Sequence, residues 1–332
     1  MTLPLFVRVL LWPVSLVYGQ LMRLRAALYA RGFLKSRRLA KPVISIGNLT
    51  VGGTGKTPMV IWLAERLLAQ GYRVGILSRG YKGADGTSDE IEVIKYRLQN
   101  RAVLGVGTHR FANGKRLESS VDLFVLDDGY QHLQLARDLD LLLIDASQPL
   151  ARQTLLPTGR LREPTSAMAR ADVLVFTRTE TVPGTTAAVN KLEGFPVFSA
   201  ATRLIGFRRL GPDVQLLPID GIGPGPFYAF CGIGNPRAFF QDLQNWNLPL
   251  ADHCQFPDHH HYDARDATEL EEAACQAGAK ALLTTEKDAQ NLATVRFPSL
   301  QVYVALIDLE ITRADVLLSL VQQKLSPKAS AA

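Results

Sequence analysis

Short apolar runs recur along the first two thirds of the chain, and stretches with helical spacing of apolar residues separate several of them. Runs of this length and composition predict buried parallel strands. The predicted strands in this part of the chain are Val43–Ile46, Arg73–Leu77, Ala102–Val106, Val121–Leu126, Leu139–Ile144 and Asp172–Phe176. Helices are predicted over Met59–Leu68, Asp89–Leu98 and Arg110–Leu117. This alternation predicts an α/β fold, with a parallel sheet that has helices on both faces.

The pattern changes near residue 200. Thr202–Leu210 and Val214–Ile219 predict a hairpin across residues 211–213, and a glycine- and proline-rich stretch follows at 221–226. Beyond it, strands are predicted at Phe227–Cys231, Ala281–Thr284 and Val302–Leu306, with helices from about Pro236 and near Arg313–Lys324. These elements predict a second, smaller α/β unit.

The first forty residues are both apolar and basic. Leu3–Leu24 is rich in large apolar residues, but Arg8 and Pro13 interrupt it, which makes it a poor bilayer-spanning helix. No acidic residue precedes Glu65, whereas nine Lys or Arg residues do. We expect an amphipathic segment in the membrane interface with a basic collar. A helix packed on its own domain is the alternative, and a signal peptide is disfavoured because no clear cleavage site follows.

The strongest chemical signal is the stretch Val43–Pro58, VISIGNLTVGGTGKTP. A strand, a glycine-rich turn, Lys-Thr and a helix follow one another, which is the order of a phosphate-binding loop (P-loop). The glycines would let backbone amides face phosphate oxygens, Lys56 would reach the outer phosphates, and the Thr57 hydroxyl would ligate Mg²⁺. The residues predicted to bind the nucleotide are Thr50, Val51, Gly52, Gly53, Thr54, Gly55, Lys56 and Thr57. Thr50 stands where the general pattern has glycine.

Two carboxylates end the apolar run Phe124–Asp128, FVLDD. In P-loop enzymes this is the place of the acid that holds Mg²⁺ directly or through water, so Asp127 and Asp128 are predicted at the metal site. Gln131 and His132 follow closely. They either contact phosphate or acceptor, or cap the next element.

Asp89 is a candidate general base. It lies at a loop-to-helix junction after the second predicted strand, and therefore near the carboxyl edge of the sheet where ligands bind. An alcohol acceptor must lose its proton during phosphoryl transfer, and a carboxylate can accept it. The alternative is a helix cap, for which Ser88 or Asp89 is well suited. The residues alone leave this choice open.

Histidines cluster in the segment Asp252–Asp263, DHCQFPDHHHYD, which holds four of the six in the chain. Its spacing matches no standard zinc pattern. A metal site, a histidine that assists a carboxylate base and a plain polar loop all remain open. The three cysteines are too few and too scattered for a disulfide framework, and they suit the reducing cytosol.

Several blocks, in this order and spacing, resemble one family along nearly the whole chain. They are PVISIGNLTVGGTGKTP, ILSRGYKG, LDDGYQHLQLARDLDLLLID, LLPTGRLREP, FYAFCGIGNPRAFF, FPDHH and LTTEKDA. The chain resembles the tetraacyldisaccharide 4′-kinase family of lipid A biosynthesis. The resemblance implies transfer of the γ-phosphate of ATP, with Mg²⁺, to the 4′-hydroxyl of a tetraacylated glucosamine disaccharide 1-phosphate. It also implies that the enzyme acts at the cytoplasmic face of the inner membrane. The implied partners are the acylated disaccharide and the membrane surface. Neither nucleic acid nor an obligate protein partner is expected.

Four parts are expected on these grounds. They are an amphipathic, basic, membrane-associating segment at 1–40, a P-loop kinase domain at 41–200, a hairpin linker at 201–220, and a smaller α/β domain at 221–332. Packing of the last helix on the first domain is left open. The family resemblance implies the same plan, namely a P-loop NTPase-type sheet and a second α/β/α unit joined by a two-stranded linker.

The resemblance also implies roles for single residues. Asp89 corresponds to the family's base, His259 to the histidine that partners it, and Arg110 to an arginine that helps the transferred phosphoryl group. Lys56 completes the predicted catalytic set. The predicted substrate contacts are Tyr81, Gln131, His132 and Arg162. Arg160 and Arg162 either receive the substrate's 1-phosphate or are structural.

The chain departs from the family before the base. The family's GDEP motif is Ser88-Asp89-Glu90-Ile91 here, and the segment between Tyr81 and Asp89 is shorter than in most relatives. A membrane-associated nucleotide binder without catalysis is therefore one alternative function. Another is a nucleotide switch with metal on the histidine cluster, but its guanine-specifying Asn/Thr-Lys-x-Asp is absent, because residues 285–288 read TEKD.

Overall fold

The computed structural model describes residues 4–80, 88–182, 184–185, 194–211 and 215–325. The chain forms two units. Unit 1 consists of Met1–Tyr81, Arg97–Thr202 and Leu309–Ala332, and unit 2 consists of Lys82–Tyr96 and Arg203–Asp308. Helix α3 (Asp89–Leu98) therefore begins in unit 2 and ends in unit 1.

Unit 1 is built on a parallel sheet. Its strands are β1 (Val43–Asn48), β2 (Val74–Ser78), β3 (Val103–Val106), β4 (Leu123–Asp127), β5 (Leu139–Asp145) and β6 (Val173–Thr177), in the order β3-β2-β4-β1-β5-β6. Every pairing among them is parallel. All residues of β1, β4 and β5 are buried, as expected for strands in the middle of a parallel sheet. The predicted α/β fold with a parallel sheet is confirmed.

The helices of unit 1 include α1 (Leu5–Ala30), α2 (Lys56–Ala69), α4 (Arg110–Leu117) and, at the end of the chain, α8 (Ala314–Leu325). Gln322 in α8 donates a hydrogen bond to Gln70 at 3.0 Å. Because the strands are parallel, the polar residues that follow β1 and β4 lie at one edge of the sheet. That edge carries the chemistry described below.

Unit 2 has its own parallel strands and its own core. They are β8 (Phe227–Cys231), β9 (Leu250–Gln255), β10 (Ala281–Thr285) and β11 (Val302–Ile311), in the order β11-β10-β8-β9. Helices α5 (Pro236–Asn245), α6 (Ala264–Gln276) and α7 (Glu286–Asn291) belong to the same unit. Two apolar clusters, one around Phe240 and one around Phe230, supply the core.

Two long strands have residues in both units. They are β7 (Val197–Arg209) and β11, which are neighbours in the sheet. The Thr312 amide donates to the Ser199 carbonyl at 2.9 Å, and the Leu210 amide donates to the Val302 carbonyl at 2.9 Å. These two strands differ from the hairpin predicted at 201–220. Among the described residues, the segment after the turn contributes an antiparallel bridge between Phe207 and Leu217.

Helix α1 runs without interruption through Pro13. Its large apolar side chains point outward; the exposed ones include Phe6, Val9, Leu10, Trp12, Val14, Leu16, Val17, Leu21 and Leu24. In a helix that faced only water this side would be polar. Among the helices of the described ranges, none has both the length and the apolar composition that crossing a bilayer requires.

Candidate active site

The loop between β1 and α2 has the backbone of a phosphate cradle. Gly52 has a φ of +101° and Gly55 a φ of +80°, values that side-chain-bearing residues rarely adopt. Gly55 immediately precedes α2, which begins at Lys56 rather than at the predicted Met59. The Thr177 hydroxyl, at the end of β6, donates to the Thr54 carbonyl at 3.1 Å and fixes the far side of the loop.

Arg160 braces the near side of the same loop. Its Nε and Nη2 donate to the Val51 carbonyl at 3.1 and 2.8 Å, and the Val51 amide donates to the Arg160 carbonyl at 2.8 Å. A third donor, Nη1, contacts Gln148. A Cβ at Gly52 would collide with this guanidinium. Of the two roles left open for Arg160, the structure shows a structural contact with the loop.

Lys56 lies between two oxygen acceptors. Its Nζ donates to Asn48 Oδ1 at 3.3 Å and lies 3.6 Å from Asp128 Oδ1. Arg162 is closer to the same carboxylate, with Nη1 at 2.9 and 2.8 Å from its two oxygens. Burial alone would raise the pKa of Asp128, but Lys56, Arg162 and Arg110 outweigh it and hold this pKa below its ordinary value. The carboxylate is therefore ionised at neutral pH.

Asp127 ends β4 and is buried. Its Oδ2 accepts a hydrogen bond from the Ser78 hydroxyl at 2.9 Å. Arg110 donates from Nη2 to the Asp127 carbonyl at 3.1 Å, and only 5% of Arg110 is exposed. Burial lowers the pKa of Arg110, although the carboxylates of Asp127 and Asp128 oppose that effect. Arg110 Nε has no hydrogen-bond partner within the described residues, so this buried cation keeps a free donor.

Gln131 and His132 lie beside the acidic pair. Gln131 Nε2 donates to the Asn48 carbonyl at 2.9 Å, and its Oε1 accepts from Arg162 at 3.4 Å. Burial, with the nearby charge of Arg110, lowers the pKa of His132 to about 4. His132 is therefore a neutral ring at physiological pH. The predicted substrate residue Tyr81 lies outside the described residues.

A second polar cluster lies in unit 2. His259 Nδ1 lies 3.0 Å from Asp89 Oδ2, and 9% of Asp89 is exposed. Asp89 Oδ1 also accepts from the Glu90 amide at 3.0 Å. The Ser88 hydroxyl accepts from the Ile91 amide at 3.4 Å and so takes the capping position. Asp89 was expected in the first domain, but it belongs to the same unit as His259.

Lys287, at the start of α7, is a member of this cluster that sequence reasoning missed. Its Nζ lies 3.6 Å from Asp89 Oδ2, 3.4 Å from His259 Nε2 and 3.5 Å from Asp258 Oδ1. A third carboxylate, that of Glu90, lies 3.7 Å away. The only signal in the sequence was its place in the block LTTEKDA. That stretch was considered only as a possible guanine-recognition motif.

The charges in this cluster set its protonation. Burial would raise the pKa of Asp89, but the hydrogen bond from His259 and the charge of Lys287 lower it below the ordinary value. The hydrogen bond to Asp89 raises the pKa of His259 against burial and Lys287. Burial would lower the pKa of Lys287, yet Asp89 and the two other carboxylates raise it. Asp89 is therefore an ionised carboxylate that the hydrogen bond with His259 and the charge of Lys287 stabilise.

Two of the other histidines in the segment 252–263, His253 and His260, pack locally. His260 Nε2 lies 2.9 Å from Asp266 Oδ2 and its ring stacks on Phe256, while His253 packs on Phe240. Across the described ranges, no group of three or more His, Cys, Asp or Glu side chains is arranged to hold a metal ion. The metal interpretation of this segment therefore finds no support in the geometry.

Comparisons with known proteins agree with one another. The model of the family described as tetraacyldisaccharide-1-P 4′-kinase matches residues 7–326. A protein of Pelobacter propionicus named tetraacyldisaccharide 4′-kinase is 40% identical over 303 residues, which are 85% of this chain and 82% of that protein. A protein of the same name from Geobacter sulfurreducens is 40% identical over 320 residues, 91% of this chain and 88% of its own.

A solved structure is also similar. It is the crystal structure of the "apo" form of LpxK from Aquifex aeolicus in complex with ATP. It superimposes with a TM-score of 0.76 at 29% identity, over 96% of this chain and 99% of that one.

Proposed function

This chain belongs to the tetraacyldisaccharide-1-P 4′-kinase family, and from that premise we propose how its residues carry out the reaction. It is a phosphotransferase that moves the γ-phosphate of ATP to the 4′-hydroxyl of a tetraacylated glucosamine disaccharide 1-phosphate. The observation that carries the proposal is the loop between β1 and α2, whose left-handed glycines lead into Lys56 beside the Asp127-Asp128 pair.

ATP binding is assigned to the loop. Backbone amides from Thr50 to Gly55 and the amino end of α2 would face the phosphates. Lys56 suits the outer phosphates because its present partners, at 3.3 and 3.6 Å, hold it loosely. Arg160 and Thr177 would keep the loop in shape while the nucleotide enters, since both bind its carbonyls.

Mg²⁺ fits the donor set at the same edge. Thr57, Asp127 and Asp128 offer only hydroxyl and carboxylate oxygens, the ligands that this hard cation prefers. These residues would hold it, and the ion would supply charge neutralisation for the phosphates. Arg110 would stabilise the negative charge that spreads over the transferred group. Its burial strengthens that interaction because little water screens it.

Asp89 is assigned the acceptor proton. Its lowered pKa makes it a weak base, but it is ionised at neutral pH and ready to accept a hydrogen bond from the 4′-hydroxyl. In a loose phosphoryl transfer the proton leaves late, so orienting the hydroxyl matters more than base strength. His259 would orient the carboxylate, and Lys287 would keep it charged. Tyr81, Gln131, His132 and Arg162 remain the predicted substrate contacts.

The membrane surface is assigned to α1. Its outward apolar side chains match the acyl region of a bilayer, which is also where a tetraacylated substrate resides. Basic residues flank that face, and they complement the anionic lipids of a cytoplasmic leaflet. The proposed location is thus the cytoplasmic face of the inner membrane, with α1 lying in the interface.

The test is acceptor-dependent ADP release by the purified full chain in detergent micelles, with ATP, Mg²⁺ and the disaccharide. Lys56→Ala and Asp89→Ala should each reduce kcat at least about 100-fold, the usual size of a lost base or charge contact. Lys95→Ala, a change of the same type at the half-exposed side chain that pairs with Glu92, is the matched control.

Three results would reject the proposal. Unchanged turnover in Asp89→Ala would remove the base assignment. ATP binding without acceptor-dependent ADP release would indicate a binder without catalysis. Equal use of GTP, with bound zinc, would favour a nucleotide switch.

A further inference from the structure

The inward face of α1 makes polar and closely packed contacts, although the helix as a whole is rich in apolar residues. Ser15 is 4% exposed, and its hydroxyl accepts a hydrogen bond from the Thr158 amide at 3.2 Å. The same hydroxyl donates to the Leu155 carbonyl at 3.2 Å. One turn further, Gly19 lies so near Leu155 that a Cβ would stand 2.6 Å from its Cδ1. Such contacts fix the position of the helix on residues 155–158, since close-packed groups transmit displacement.

Tyr18 extends this face to Arg162. Its hydroxyl donates a hydrogen bond of 2.7 Å to the Arg162 carbonyl. Burial, with help from Glu163, raises the pKa of Tyr18, so the hydroxyl remains a donor at any physiological pH. The guanidinium of the same Arg162 binds both carboxylate oxygens of Asp128. One residue therefore separates the helix from the acidic pair.

Arg25 reaches Gln131, whose Oε1 accepts a hydrogen bond from the same Arg162 Nη1 that binds Asp128. Arg25 Nη2 donates to the Gln131 carbonyl at 3.1 Å. Gln131 in turn donates to the Asn48 carbonyl, at the end of β1, at 2.9 Å. Tyr18 and Arg25 of α1 thus bind the backbone carbonyls of Arg162 and Gln131, two residues whose side chains contact each other beside Asp128.

We infer that α1 is a positioning element of the nucleotide site, and that Tyr18 is the residue that sets Arg162 against Asp128. Asp128 is shared between Arg162, at 2.8 Å, and Lys56, at 3.6 Å. A displaced Arg162 would leave Asp128 to Lys56 alone, and the ammonium would then be held back from the phosphates. The inference rests on the proposed function, because it takes Lys56 and Asp128 to act on ATP. It adds that the helix assigned to the membrane is also part of the catalytic framework.

The test uses Tyr18→Phe, which removes one hydroxyl and keeps the ring. The loss of one hydrogen bond predicts a fall in kcat/KM for ATP of about two- to tenfold, with the KM of the acceptor unchanged. Tyr29→Phe is the matched control on the same helix, because the Tyr29 hydroxyl has no hydrogen-bond partner in the part of the chain that the structure describes. The assay is acceptor-dependent ADP release by the full chain in detergent micelles.

Testing Tyr18→Phe in a second variant, Arg162→Ala, distinguishes a positioning role of Tyr18 from a general effect on stability. If Tyr18 acts through Arg162, Tyr18→Phe should have no further effect on ATP binding in an Arg162→Ala protein. An equal loss in both backgrounds, or equal activity of Tyr18→Phe and Tyr29→Phe, would overturn the inference. If Tyr18→Phe does not fold, Arg25→Lys provides a second variant. It changes the contact with the Gln131 carbonyl and should likewise weaken ATP binding. Lys56→Ala distinguishes the two proposals, since full activity in that variant would reject the proposed function itself.

Discussion

Asp128 is the residue at which the charges of the loop edge meet. It adopts a left-handed φ of +46°, a conformation that costs free energy for a residue with a side chain. Arg162 and Lys56 approach its carboxylate from different parts of the chain. Strain at such a place is typical of residues that serve a site rather than the core.

Asp89 is the second important carboxylate, and its protonation depends on Lys287. Lys287 lowers the pKa of both Asp89 and His259. In Lys287→Gln both pKa values should rise. Activity is lost as the pH falls, whether the reaction needs an ionised Asp89 or a neutral His259, so the acid limb of kcat/KM should move to higher pH. Activity well above both pKa values should be much less affected.

The measurement is kcat/KM against pH for Lys287→Gln, with Lys287→Arg expected to retain the original profile. Lys95→Gln serves as a control for loss of a lysine beside a carboxylate, because Lys95 pairs with Glu92 on α3. An acid limb that stays in place, or moves to lower pH, would show that Lys287 does not set the charge of this cluster.

Prediction from sequence succeeded best for the elements whose pattern is set by burial on both faces. Every strand of unit 1 from β1 to β6 was predicted within two residues at each end, because an apolar run ends where the sheet ends. β9 was missed. Its sequence, LADHCQ, is polar and partly exposed, since it lies at the edge of the strand order in unit 2. Helices α6 and α7 were not predicted either. The histidine-rich stretch before α6 and the TEKD stretch at the start of α7 were interpreted as possible ligand sites rather than as helix starts.

The site was predictable only in part, because some of its residues are contiguous in sequence and others lie far apart. The loop residues from Thr50 to Thr57 are contiguous, so one motif specifies them. Asp89, His259 and Lys287 are brought together by the fold, and no local pattern links them. Asp89 was a candidate base from its place after the second predicted strand, His259 was assigned as its partner only through a family resemblance, and Lys287 was not found. Arg160 and Tyr18 act on backbone carbonyls, which no side-chain motif records.

Two adjacent glycines in the loop between β1 and α2 differ in backbone conformation and in the space around them. Gly52 has positive φ and no room for a Cβ beside Arg160, whereas Gly53 has nothing within 4 Å of a Cβ. Gly52→Ala should therefore reduce the free energy of unfolding by about 1–3 kcal/mol, from strain and the displaced guanidinium. Gly53→Ala should change it by less than about 0.5 kcal/mol or raise it slightly, because alanine restricts the unfolded chain. Urea unfolding without nucleotide measures both, and equal losses would contradict the described loop.

At the scale of the whole molecule, charge and apolar surface are concentrated at the amino end. Nine basic residues precede the first acidic one, and most of the exposed large apolar side chains belong to α1 or follow it closely. The composition predicted an interfacial segment, with a helix packed on its own domain as the alternative. The helix has both properties on opposite faces, since Ser15 and Gly19 are buried while its large apolar residues are exposed. Average hydrophobicity could not separate those faces, because it sums over all sides of the helix.

This two-sided helix allows membrane binding to be changed without changing the nucleotide site. Leu10 is 76% exposed, and Leu10→Glu would place a charge on the outward face. Removing one inserted leucine should weaken binding to anionic vesicles about tenfold or more, given about 1.5–3 kcal/mol for a buried side chain of that size. Leu216→Glu, the same change at a residue 54% exposed in unit 2, should bind vesicles like the unmodified chain. Vesicle cosedimentation measures this. ATP affinity in micelles should be equal in all three proteins, because Leu10 is exposed and the contacts of α1 with residues 155–162 come from Ser15, Tyr18 and Gly19. If instead both variants bind vesicles equally well, the bilayer does not contact the outward face of α1, and the basic residues alone must account for any attraction, which added salt would then abolish.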